Sequence, residues 1–253
     1  MKGKVIFITG ATSGIGEGCA RKFAAMGSDL ILNGRNVKKL ESLKQELTAQ
    51  GVDVLILPFD VRDRQAMRQA VDSLQEKWKN VDVLVNNAGL VIGLDKEYEG
   101  SLEEWDVVID TNIKALLAMT RMIVPGMVER GCGHIINIGS VAGDAAYAGG
   151  SVYCATKAAV KALSDGLRID LVDTPLRVTN VKPGLVETNF SVVRFRGDKG
   201  KADAVYEGIR PLTGDDIAEV VYYAASAPAH IQIAEVLVMP TNQATGTICY
   251  RKK

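Results

Sequence analysis

Histidine is almost missing from this chain. His134 and His230 are the two among 253 residues, which leaves little room for histidine-based metal sites or catalytic triads. The four cysteines, Cys19, Cys132, Cys154 and Cys249, are scattered without any C-x-x-C pair. That spacing excludes a disulfide framework or a zinc site and implies reduced thiols, so a cytoplasmic protein is expected. Net charge is missing too: 30 basic side chains balance 30 acidic ones. Neither nucleic acid nor a membrane surface is then expected as the main partner. No long apolar run occurs. The first, residues 5–8, is far too short for a signal peptide or a membrane span.

What is present is an ordinary globular composition, 47% apolar and 24% charged, at a length that suits one large α/β domain. Short apolar, β-branched runs lie at 5–8, 30–32, 54–57, 83–85, 135–138, 178–181 and 236–238. Their lack of alternation predicts strands covered on both faces. Helical patterns lie between them, at 15–26, 37–50, 64–78, 102–128, 152–172 and 215–225. Asn36, Asp63, Ser101, Ser151 and Thr213 stand just ahead of five of these as expected caps. The alternation predicts βαβ crossovers and a parallel, doubly wound sheet in one domain over 1–253. Only 185–210 breaks the rhythm. It shows no clear period apart from a weak helical pattern near 202–209, and its position after a strand predicts a lid. The tail 241–253 runs past the last strand, towards a neighbouring subunit, and its basic end, Arg251-Lys252-Lys253, is expected in solvent.

The first strand runs into Thr9-Gly10-Ala11-Thr12-Ser13-Gly14-Ile15-Gly16 and then a helix. Glycines allow a tight turn and close backbone approach, and a helix start offers unpaired N–H groups and a positive dipole end. This predicts a dinucleotide phosphate cradle, although the spacing is G-x-x-x-G-x-G rather than G-x-G-x-x-G. The second strand ends in Asn33-Gly34-Arg35-Asn36, without the carboxylate that would bond a ribose 2′-hydroxyl. Arg35 can instead hold a 2′-phosphate by charge and two hydrogen bonds, with Ser13 and Lys39 as helpers. NADP is therefore expected over NAD.

Ser140 precedes Tyr153-Cys154-Ala155-Thr156-Lys157. Tyr153 and Lys157 are i and i+4 on one helix and share a face. A tyrosine of ordinary pKa about 10 must drop by about 3 units to act as a base near neutrality. A neighbouring ammonium and an oxidised nicotinamide both favour the phenolate. No G-x-S-x-G elbow surrounds Ser140, which argues against a hydrolase.

These residues keep further company: Asn86-Asn87-Ala88-Gly89, Asp110-Thr111-Asn112 and Pro183-Gly184. Together, in this order, they resemble the short-chain dehydrogenase/reductase family over nearly the whole chain. The resemblance implies a seven-stranded parallel sheet of order 3-2-1-4-5-6-7 and reversible hydride transfer between nicotinamide and a carbinol carbon. It implies Tyr153 as general acid/base and Ser140 as positioner of the reacting oxygen. Lys157 would hold the nicotinamide ribose and lower the Tyr153 pKa, and Asn112 would complete a proton relay. Gly10, Thr12 to Gly16, Asp60, Val61, Asn87, Ala88, Gly89, Val186 and Thr188 would join Pro183 and Gly184 around the cofactor. A homotetramer is implied through the two long helices.

The stretches 90–93, 133–140, 147–153 and 193–198 further resemble the subgroup of NADP-dependent 3-hydroxy acid (serine) dehydrogenases. That resemblance implies a short carboxylate substrate such as serine, 3-hydroxyisobutyrate or 3-hydroxypropionate. Such a substrate needs a cation, and Arg194 or Arg196 in the lid could supply it, Arg194 being the preferred candidate, with Tyr147 also facing the substrate. Two alternatives stand beside it: a 3-oxoacyl thioester or other carbonyl reductase, and a non-catalytic dinucleotide-binding regulator.

Overall fold

The computed structural model describes residues 1–252. Seven parallel strands form the expected sheet: β1 (Val5–Ile8), β2 (Asp29–Gly34), β3 (Val54–Pro58), β4 (Val81–Asn86), β5 (His134–Ile138), β6 (Arg177–Pro183) and β7 (Glu235–Val238). Their order is β3-β2-β1-β4-β5-β6-β7. All neighbours run parallel, with Ile8 beside Leu32 and Val85. Parallel neighbours need crossovers, and helices supply them on both faces. The helices α1 (Gly14–Ala25), α2 (Val37–Thr48) and α9 (Gly214–Ser226) cover one face. Ile6, Ile8, Leu30, Leu32 and Val85 bury against that layer. Covering the other face are α3 (Arg64–Asp72), α5 (Ala115–Arg130) and α6 (Ser151–Asp170), over Phe7, Ile31, Leu84 and Ile135. Burial on two faces explains why the strands lack alternation, and the polar Asn137, Thr179 and Asn180 inside β5 and β6 are buried as well.

Several expectations need correction. The pattern over 64–78 is not one helix: α3 stops at Asp72 and a 3₁₀ turn follows at Glu76–Lys79. The pattern over 102–128 is α4 (Leu102–Ile109), a π turn (Asp110–Lys114) and α5. Asn36, Asp63, Ser101 and Thr213 cap as expected, but Gly150 holds the cap position of α6 and Ser151 is its first helical residue. The segment 185–210 carries two short helices, α7 (Asn189–Arg194) and α8 (Lys199–Ala204). The basic tail end is exposed, as expected, but it is also anchored. Arg251 Nη1 donates to Glu207 O at 2.6 Å and its Nη2 to Val205 O at 3.0 Å, while Lys252 N donates to Gly208 O at 2.9 Å. Lys253 lies outside the described residues. No helix among the described residues is long and apolar enough to cross a membrane.

Candidate active site

A cleft of about 410 Å³ opens at the C-terminal ends of the strands. Its centre lies where the strand order reverses between β1 and β4, the place where open α/β sheets bind ligands. Almost every residue singled out from the sequence lines it, including Gly10, Ser13, Arg35, Asp60, Ser140, Tyr153, Lys157 and Arg194. Two lie behind the wall rather than on it: Gly16 and Asn112.

Gly16 shows why the turn after β1 needs glycine. A Cβ there would lie 2.4 Å from Gly10 O and 2.5 Å from Asn87 Nδ2. Asn87 in turn donates to Thr9 O and Gly10 O, tying the turn to the end of β4. Gly14 has φ +56°, and a side chain there would strike Thr188. Side-chain caps close α2, α3, α4, α9 and the two short helices after β6, whereas Ser13 ahead of α1 makes no capping bond. The first N–H groups of α1 are thus left by side chains to face the cleft. This donor set, with Arg35 beyond it, fits a dinucleotide pyrophosphate. Lys39 does not join it: it is exposed and absent from the cleft wall.

At the other end, Ser140 leaves β5 and its Oγ accepts from Ala142 N at 3.1 Å. Its hydroxyl lines the same end of the cleft as the Tyr153 phenol. Burial pushes the Tyr153 pKa up to about 12, opposed by the polar Ser140 hydroxyl and the Arg194 guanidinium. On the protein's own charges the phenol is therefore protonated at neutral pH, the reverse of the lowered value that base catalysis demands. Lys157 Nζ donates to Ile138 O at 2.8 Å and sits 5.9 Å from the Tyr153 ring centroid. Burial lowers its own pKa to about 8. Asn112 lies in the π turn. Its Oδ1 accepts from Leu90 N at 2.9 Å, and its Nδ2 donates to Leu90 O and Thr156 Oγ1. The amide is thereby spent on fixing the loop after β4 against α6.

Arg194, on α7, lies over three rings: Tyr153 and Phe190 at 5.6 Å and Tyr147 at 5.9 Å. Its Nη2 donates to Tyr147 OH at 2.9 Å. Its Nε is buried without a hydrogen-bond partner among the described residues. A part-desolvated guanidinium with a spare donor suits a small oxyanion.

Other cleft residues were not evident in the sequence: Arg62, Phe190, Tyr206, Gln243 and Thr247. Arg62 directly follows Asp60-Val61 and was within reach of inspection. Gln243 and Thr247 come from the tail, and no local pattern marks them. Among the described residues no group of three or more histidine, cysteine, aspartate or glutamate side chains gathers to hold a metal.

Comparison with known proteins accords with this geometry. The family model described as short chain dehydrogenase matches residues 4–198. The chain belongs to the short chain dehydrogenase family. Among its family relatives is the NADP-dependent 3-hydroxy acid dehydrogenase of Salmonella typhi, 50% identical over 94% of this chain and 96% of that protein. Another is the sulfoacetaldehyde reductase 2 of Chromohalobacter salexigens, 44% identical over 95% of each. Within the family's solved structures, the closed form of a serine dehydrogenase complexed with NADP+ superposes with a TM-score of 0.93. It is 46% identical, with 98% of this chain and 100% of that one covered.

Proposed function

We propose that the protein is an NADP-dependent oxidoreductase that interconverts the 3-hydroxyl of a short 3-hydroxy acid and the matching carbonyl. The observation that carries this reading is the meeting of three groups at one end of the cleft: the Ser140 and Tyr153 hydroxyls and the part-desolvated Arg194 guanidinium. NADP bound in the cradle supplies or accepts the hydride at its nicotinamide. Ser140 donates a hydrogen bond to the reacting oxygen, and Tyr153 exchanges the proton with it. Arg194 holds the carboxylate, which places the third carbon under the two hydroxyls. Lys157 holds the cofactor ribose and carries the positive charge that favours phenolate, and the charge of an oxidised nicotinamide adds to it. In the proton relay, the Asn112 amide is already engaged. The π turn supports its backbone carbonyl as the relay group, because such a turn frees a carbonyl from the helical ladder.

The segment 185–210 acts as the lid, since Val186, Thr188, Phe190, Arg194 and Tyr206 all present cleft-facing groups from it. A homotetramer is part of the same reading, supported by the exposed apolar Leu117 and Val128 on α5 and Ile169 on α6. The scattered free cysteines fit a reducing, cytoplasmic setting. A thioester reductase is disfavoured because its bulky substrate would bury Arg194 against apolar groups without an anion to meet it. A non-catalytic regulator would have no use for the Ser140–Tyr153–Lys157 set. A sulfonate is a second small oxyanion that the same guanidinium suits.

Turnover of serine, 3-hydroxyisobutyrate, 3-hydroxypropionate, sulfoacetaldehyde and a neutral secondary alcohol, followed at the nicotinamide absorbance, tests this. Tyr153→Phe should abolish turnover and retain NADPH binding. Arg194→Ala should raise KM for the anionic substrates roughly 10–100-fold, the worth of a hydrogen bond to a charged group. The neutral alcohol should be little affected. No turnover of any 3-hydroxy acid would sink the substrate assignment.

A further inference from the structure

At the Arg35 end of the cleft stands a charge arrangement that none of the motifs explains. Arg62 takes up both oxygens of Asp60. Its Nε donates to Oδ1 at 3.1 Å and Oδ2 at 3.2 Å, and its Nη2 donates to Oδ2 at 2.8 Å. Its backbone N–H adds a bond to Oδ1 at 3.0 Å. Arg35 approaches the same carboxylate from the turn after β2 and stays 3.8 Å away, with its side chain 68% exposed. All three residues line the cleft. Asp110 also faces Arg62, but it is paired with Lys114 at 2.7 Å.

A 2′-phosphate carries close to two negative charges. A bare carboxylate beside Arg35 would both repel that phosphate and compete with it for the guanidinium. With Arg62 in place the Arg35–Asp60–Arg62 group carries a net charge of one positive. Without Arg62 the remaining pair would be neutral, and Arg35 would be drawn onto Asp60. We propose that Arg62 is the positioning residue that sets preference for a 2′-phosphorylated dinucleotide, by occupying Asp60 and so keeping Arg35 free for the phosphate. The inference rests on the NADP reading above and gives it a second determinant. The held Asp60 carboxyl, kept below its ordinary pKa chiefly by Arg62, is consistent with this.

The test is the ratio of NADH to NADPH dissociation constants, measured by nicotinamide fluorescence on the full-length protein. The wild type should favour NADPH strongly. Arg62→Gln should lower the ratio by roughly tenfold or more, the scale expected when a charge-assisted contact loses its cation. Arg62→Lys should retain most of it. Adding Asp60→Asn to Arg62→Gln should restore the ratio, because the net positive charge returns and Arg35 is released. A merely structural role for Arg62 would weaken both dinucleotides equally and would not be rescued by that second substitution. Either of those results, with a wild-type preference intact, would overturn the role of Arg62 alone. A wild-type ratio near one would overturn the NADP reading, and this inference with it.

Discussion

Lys157 is an ammonium buried under the end of β5. Its one hydrogen bond is to Ile138 O. Its pKa falls from the ordinary 10.5 to about 8, so the folded state binds this proton less tightly than the unfolded chain does. The sign follows. Below pH 8 both states are protonated and folding carries the full cost of burying the charge. Between pH 8 and 10.5 the unfolded chain holds the extra proton, so stability from this group rises with pH. Above 10.5 the cost is gone. The full cost is on the order of 3 kcal/mol. Lys157→Met, similar in volume and uncharged, should therefore raise Tm at pH 7 while destroying turnover, and the gain should shrink towards zero near pH 10–11. Thermal unfolding of both proteins across that range is the check; a gain independent of pH would mean that the lysine is buried without strain on its charge. The raised Tyr153 pKa gives a matching expectation for activity. Carbonyl reduction, which needs the phenol protonated, should persist at neutral pH, and alcohol oxidation should climb with pH. Residues of this kind were legible in the sequence because each stands at a strand end or on the i, i+4 face of one helix. Arg62 was not singled out because its importance comes from what it does to Asp60, and a charge pair two residues apart leaves no periodic mark.

Elements were legible in proportion to their length and burial. Runs of three or four mostly apolar residues between helical patterns read as covered strands, and the strand order was what the family resemblance implied. The π turn at Asp110–Lys114 was invisible because one extra residue shifts the helical phase without ending the apolar pattern. The helices α7 and α8 each span under two turns, too short for a 3.6-residue period to declare itself. These two short helices matter for function through the residues between them. Arg196, with φ +52°, turns back to pair with Glu104 at 2.7 Å and with Asp95. Gly93 N adds a bond to Arg194 O at 2.8 Å. The segment is thus latched to α4 and the loop before it by exposed ion pairs, which salt weakens. Arg196→Ala should raise KM for the small acid about 2–5-fold, matching the modest worth of such pairs, and leave NADPH affinity alone. The wild-type KM should rise with ionic strength more steeply than that of the variant. Equal salt responses would show that the ion pairs do not hold the segment over the site.

On the scale of the whole molecule, the segment after β7 meets residues 185–210 at two places. After β7 the tail turns back across the cleft. Gln243 Oε1 accepts from Leu185 N at 2.8 Å at the start of the proposed lid, and Arg251 with Lys252 bonds the carbonyls of Val205, Glu207 and Gly208 at its end. Both ends of 185–210 are therefore tied to one strap, and the helices between them hang from it. Sequence alone could not show this, because every partner of Arg251 is a backbone carbonyl and carries no side-chain signature. If 185–210 is the lid proposed above, its order depends on a few terminal bonds in partly exposed surroundings, of about 1 kcal/mol each or less. Truncation before Arg251 should then leave the sheet and its Tm nearly unchanged. It should make 185–210 the first site of proteolytic cleavage, several-fold faster than in the full chain, and raise KM for the acid substrate more than it lowers kcat. Saturating substrate should slow cleavage of the full chain more than that of the truncated one, since closure draws on the lost bonds. Identical cleavage rates and kinetics in the two proteins would mean that the tail merely rests on the lid, and that order in this segment comes from its contacts with α4 and the cleft wall alone.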